Sequence, residues 1–233
     1  GQQALTYLGF SYGTYLGAVY TELFTDNIGR VVLDSAMDPT LSRQGSFEGD
    51  AAAEEQTLRT YIESQQGQAG FPLNGSTDEA VTRLAAFLDG LEANPLTVYD
   101  GADSLNRAEA TNAIKELVVA SPDKWPLLNE GLTQAMNAHD GTALMKNAGF
   151  LSGEGGPTAT EAQIVEHLQS VYGFAANRCL DFPDTGNQAS WDAALASYRR
   201  DYPVFHSLVP QHNAYCHGWG HTGKTEPVDV DVD

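Results

Sequence analysis

Residues 4–13 read Ala4-Leu5-Thr6-Tyr7-Leu8-Gly9-Phe10-Ser11-Tyr12-Gly13. An apolar run enters a G-x-S-x-G pattern, which is how a nucleophilic serine on a strand-to-helix turn is written. With 23 glycines in the chain the five-residue pattern alone is weak; its surroundings give it weight. Residues 4–8 predict a short buried strand. Residues 12–25 predict a helix with Gly13 and Gly17, four apart, on one face. "RVVLDSAMDP" predicts a second strand, Val31 to Ser35, stopped by Asp38-Pro39. Strand, helix and strand with short joins make a βαβ unit, so the two strands should run parallel. In that setting the Ser11 hydroxyl sits at a helix N-terminus, where the dipole favours developing negative charge. The Tyr12 N–H would be one donor of an oxyanion hole. The plain alternative is a βα turn with an incidental serine.

Beyond Pro39 the pattern changes to helix and loop as far as about residue 205. "FEGDAAAEEQTLRTYIESQQ" is one candidate helix. Ser76 and Glu79 form a capping box ahead of a stripe of Val81, Leu84, Ala85 and Leu88. Ser121-Pro122 reads as an N-cap and first helical residue. Thr158 and Glu161 suggest a further capping box, and "SWDAALASYRRDYP" a short helix ended by Pro203. The tail "EPVDVDVD" reads as a linker, or as the lead-in to a strand.

The chain has 12 basic and 31 acidic residues, for a net charge of −19. Such a surface repels nucleic acid and anionic membranes. No apolar stretch approaches spanning length, so no membrane insertion is expected. A positively charged substrate group, such as a peptide amine, is compatible with it. Cys179 and Cys216 are the two cysteines. A small even count at wide spacing suits one disulfide in an exported protein, against two buried thiols in a cytosolic one.

"GFSYGTYLG", "IGRVVLDSAMDP", "ANRCLDFPD" and "CHGWG" together resemble the secreted tripeptidyl-aminopeptidase-like α/β-hydrolases, relatives of prolyl aminopeptidase. The resemblance spans nearly the whole chain. It implies an α/β-hydrolase fragment: a βαβ unit of two parallel strands plus a large, mainly α-helical cap. On that reading residues 1–39 are partial core with the nucleophile turn. Residues 40–222 are the cap, and residues 223–233 a linker back to further core. The family's acid and histidine follow the cap and have no counterpart here. The implied activity is a serine hydrolase releasing short peptides from N-termini through an acyl-enzyme, in a secreted or cell-envelope setting and without a cofactor. Ser11 would be the nucleophile and Tyr12 the oxyanion donor.

Several competing assignments follow from the residues themselves. His206, His212, His217 and His221 come late in the chain, in the right order for a self-contained triad, but no strand pattern precedes them. Cys216, His217 and His221 are suitable zinc ligands yet lack a fourth at motif spacing, so no metal is expected. Asp34 and Asp38 end the second strand, where the resemblance allows a catalytic acid in some relatives; Asp34 is read instead as ordering the loop through backbone hydrogen bonds. Asp181, beside Cys179, is a candidate anchor for a substrate α-amine, or else closes the "LDFPD" turn. An esterase or lipase would use the same serine, and a non-catalytic binding module is the third reading. The expectation is an inactive chain when alone, with a peptide or small-ester substrate for the assembled site. Unpaired strand edges should drive self-association or pairing with further core segments.

Overall fold

The computed structural model describes residues 4–149, 160–182, 186–206, 216–221 and 223. Strand β1 (Leu5–Phe10) runs into helix α1 (Tyr12–Leu23), and a single 3₁₀ turn leads to β2 (Ile28–Asp34). The two strands pair in parallel, with Leu8 opposite Val32 and Phe10 opposite Asp34. The expected βαβ unit is therefore present, with β2 starting earlier than Val31 and ending one residue before Ser35.

The glycines set how closely α1 approaches the sheet. A Cβ on Gly9 would lie 2.6 Å from the Gly13 carbonyl oxygen, and one on Gly17 would lie 2.6 Å from the Tyr7 ring and 2.8 Å from Leu33. The Tyr7 hydroxyl uses the proximity, donating to the Gly13 carbonyl at 2.7 Å. Helix α1 covers one face of the sheet. On the other face Leu8, Phe10 and Val32 are exposed.

The rest of the described chain is mostly helical: α2 (Arg43–Gln65), α3 (Thr77–Gly90), α4 (Arg107–Val119), α5 (Trp125–Ala138), α6 (Thr142–Asn147), α7 (Glu161–Asp181) and α8 (Gln188–Asp201). Leu58, Ile62, Leu84, Leu88, Ile114, Leu128, Leu132 and Phe205 form its fully buried centre. The capping box of α3 is present, Ser76 accepting from the Glu79 N–H while the Glu79 carboxylate accepts from the Ser76 N–H. The box at the start of α7 is shifted by two residues from expectation: Thr160 caps and Gln163 answers it. Thr158 lies outside the described residues.

The expectation of helix and loop throughout needs one correction. Strands β3 (Leu96–Val98) and β4 (Asp103–Leu105) form an antiparallel hairpin. Tyr99 and Asp100 both take positive φ (52°) and the Gly101 N–H returns to the Val98 carbonyl. With the Ala102 N–H returning to the Tyr99 carbonyl, these bonds close the loop of residues 99–102 between the paired Val98 and Asp103. Three-residue strands carry too little alternation to announce themselves. The tail beyond Gly223, read as a linker, lies outside the described residues.

Candidate active site

Ser11 stands between the last residue of β1 and the first of α1, with φ 50° and ψ −121°. A non-glycine residue is rarely found there, and such strain collects at functional positions. Three hydrogen bonds hold the bend. The Ser11 N–H donates to the Asp34 carbonyl at 3.2 Å. The buried Thr14 hydroxyl donates to the Ser11 carbonyl at 2.6 Å and accepts from the Met37 N–H at 2.8 Å. The Ser11 side chain does not cap the helix it precedes. It is exposed, and its hydroxyl has no hydrogen-bond partner among the described residues. Tyr12 begins α1, and the first N–H groups of a helix have no intrahelical acceptor.

Ser11 and Tyr12 open onto a cleft of about 560 Å³. It is lined also by the loop of residues 35–38, by Leu41 ahead of α2, by Ser46, Gly49 and Asp50 from the start of α2, and by Phe174 and Arg178 from α7. Asp38 is occupied locally: its carboxylate accepts from the Thr40 N–H and hydroxyl, and these bonds hold it below the usual carboxylate range. Asp34 contributes to the bend through its carbonyl.

Asp181, the last residue of α7, is not a wall residue of the cleft. Its carboxylate takes the hydroxyl of Tyr12, linking α7 to α1. Burial and this hydrogen bond push the Tyr12 phenol well above its ordinary value. Tyr15 is pushed up too, by burial and the same carboxylate, and its ring packs 4.8 Å from Phe182. The neighbouring Cys179 forms a disulfide with Cys216, with Cα atoms 5.4 Å apart. The even cysteine count thus translates into the expected bridge, and Cys216 is unavailable to a metal.

The histidines fall elsewhere. His206 is buried, its Nε2 accepting from Arg199 at 3.2 Å and facing Arg107 at the same distance. Its Nδ1 faces the Pro203 carbonyl at 2.9 Å. Burial and the two guanidiniums hold its pKa below the usual value. His217 packs edge-on to Trp191 and His221 to Trp219; His212 lies outside the described residues. Among the described residues, no histidine lines the cleft. The sequence reading passed over Arg178 and Asp50, although Arg178 lies within the "ANRCLDFPD" stretch.

No family model matches the chain. It is similar to tripeptidyl aminopeptidase of Streptomyces lividans, 26% identical over 99% of this chain and 41% of that protein. It is also similar to serine protease Hip1 of Mycobacterium tuberculosis, 29% identical over 62% of this chain and 29% of that protein. A third relative, carboxylesterase B of the same organism, is 28% identical over 78% of this chain and 33% of its own length. The chain resembles the tripeptidyl-aminopeptidase-like serine hydrolases along nearly its whole length, and it spans about 41% of the first of these relatives.

Proposed function

We propose that this chain carries the nucleophile and the cap of a serine peptidase that releases short peptides from N-termini. Residues 1–39 are then part of the catalytic core, residues 40–222 the cap, and residues 223–233 the return toward further core. The observation that carries the reading is the strained bend that presents a Ser11 hydroxyl, unpartnered among the described residues, to a cleft lined in part by α2 and α7. In the reaction Ser11 Oγ attacks the scissile carbonyl carbon and gives its proton to a base. The oxyanion is met by the Tyr12 N–H. The C–N bond breaks, the amine leaves with a proton, and water then hydrolyses the acyl-enzyme.

The base and its orienting acid would come from polypeptide other than the residues described, since no described histidine faces the cleft. On the resemblance, in which the acid and histidine follow the cap, the chain expressed alone is expected to be inactive, because losing a triad partner costs several orders of magnitude in rate. Asp181 is the proposed α-amine anchor: an incoming ammonium would join or replace the Tyr12 hydroxyl on its carboxylate. A disulfide supports an extracytoplasmic setting. Among the described residues no helix is long and apolar enough to cross a membrane.

The second reading is an esterase with the same nucleophile, favoured by the likeness to a protein named carboxylesterase. One assay separates them. The full-length gene product carrying these residues is given tripeptide p-nitroanilides with free or acetylated N-termini, beside p-nitrophenyl esters. The peptidase reading predicts release from the free-amine anilides and loss of rate on acetylation. Turnover confined to esters, or indifferent to the amine, would contradict it.

A further inference from the structure

Among the described residues, Arg178 is the one cation lining the cleft. Its guanidinium lies 4.7 Å from the centre of the Phe47 ring and 5.2 Å from that of Phe174. Two aromatic faces fix its position without using its N–H donors. The residue is half-buried, and among the described residues its side chain has no hydrogen-bond partner and no ion pair. Burial lowers its pKa and nearby Asp50 works against that; guanidinium stays charged throughout the working pH range. Its neighbour Cys179 is in the disulfide, which fixes this end of α7. A partly desolvated guanidinium whose donors are unused among the described residues suits planar carboxylate recognition. The rest of the cleft limits what can bind. Asp38 and Asp50 share the wall, so a dianion would be repelled, while a group bearing one negative charge beside an ammonium is accepted.

We propose that Arg178 reads a carboxylate on the peptide that Ser11 attacks, making the cleft selective for zwitterionic peptides. The proposal deepens the peptidase reading and rests on it. The carboxylate has two possible sources, an acidic side chain or the C-terminus of a short substrate.

The test is binding without turnover, using the full-length gene product with Ser11→Ala and ¹⁵N-arginine labelling. Two pairs of free-amine peptides are titrated: Ala-Ala-Glu amide against Ala-Ala-Gln amide, and Ala-Ala-Ala acid against its amide. In at least one pair the added carboxylate is expected to tighten binding roughly tenfold or more, with a shift of the Arg178 Nε signal. The pair that responds identifies the source. Arg178→Gln should abolish the difference and Arg178→Lys should retain part of it, since lysine keeps the charge and loses the fork. Circular dichroism confirms that each variant is folded. Equal binding within both pairs, absence of binding included, or a difference that survives Arg178→Gln, overturns the proposal. The peptidase reading fails separately. Twins that differ while the full-length product cleaves no peptide leave the Arg178 site standing; cleavage with twins that bind alike removes the Arg178 site alone.

Discussion

Ser11 holds a conformation that costs about 1–3 kcal/mol for a residue with a Cβ. Replacing it with glycine removes that cost, offset by the larger backbone entropy of glycine in the unfolded chain. Ser11→Gly should therefore be more stable than Ser11→Ala, by about 1 kcal/mol in denaturant unfolding. If alanine proves the more stable, the bend is not strained as described. Gly9→Ala tests the other side of the turn. Its methyl would meet backbone at 2.6 Å, where no side-chain rotation relieves the clash, so a loss of about 1–3 kcal/mol is expected. Both residues were legible in the sequence, because a tight turn between strand and helix leaves few choices at its flanks. Arg178 was not. An arginine beside a cysteine has no pattern of its own, and only the fold brings it across the cleft from Ser11.

At the scale of the element, the long helices and the α3 capping box were readable from apolar spacing and end signals. The β3–β4 hairpin was missed because its strands are three residues each, although Asp100-Gly101 was the available cue. Helix α7 depends on its disulfide. The bridge joins residues 37 apart in sequence, and removing a loop of that size costs roughly 3–4 kcal/mol in the chain-entropy model. Cys179→Ser with Cys216→Ser should lower the melting temperature accordingly, and an unchanged melting temperature would show that the bridge contributes nothing. Helix α2 carries a pH dependence. Burial raises Glu54 from 4.5 to about 7, with Lys115 opposing the shift. The folded chain therefore holds that proton at pH values where the unfolded chain has released it. This stabilisation is full below about 4.5 and is lost as pH rises through about 7. The melting temperature should fall by a few degrees, roughly, between those limits, and Glu54→Gln should flatten the profile. A melting temperature rising over that range would contradict the assignment.

For the whole molecule, a parallel sheet is normally covered on both faces, yet here the face bearing Leu8, Phe10 and Val32 is open. Both strands also have an outer edge unpaired among the described residues. Helix α7 adds Ile164, Val165, Leu168, Val171 and Tyr172 to the exposed apolar surface. The isolated chain should accordingly self-associate with rising concentration in sedimentation, and Leu8→Lys with Val32→Lys should return it to a monomer. A wild-type chain that stays monomeric would show this surface to be tolerated in water. Against a net charge of −19, such association would have to overcome mutual repulsion. The central claim concerns one hydroxyl, and mass-spectrometric mapping of a fluorophosphonate adduct tests it most directly. In the full-length gene product the adduct should fall on Ser11 and vanish in Ser11→Ala, with little labelling of the 233-residue chain alone. An adduct on another residue, or labelling that persists in Ser11→Ala, would contradict the account.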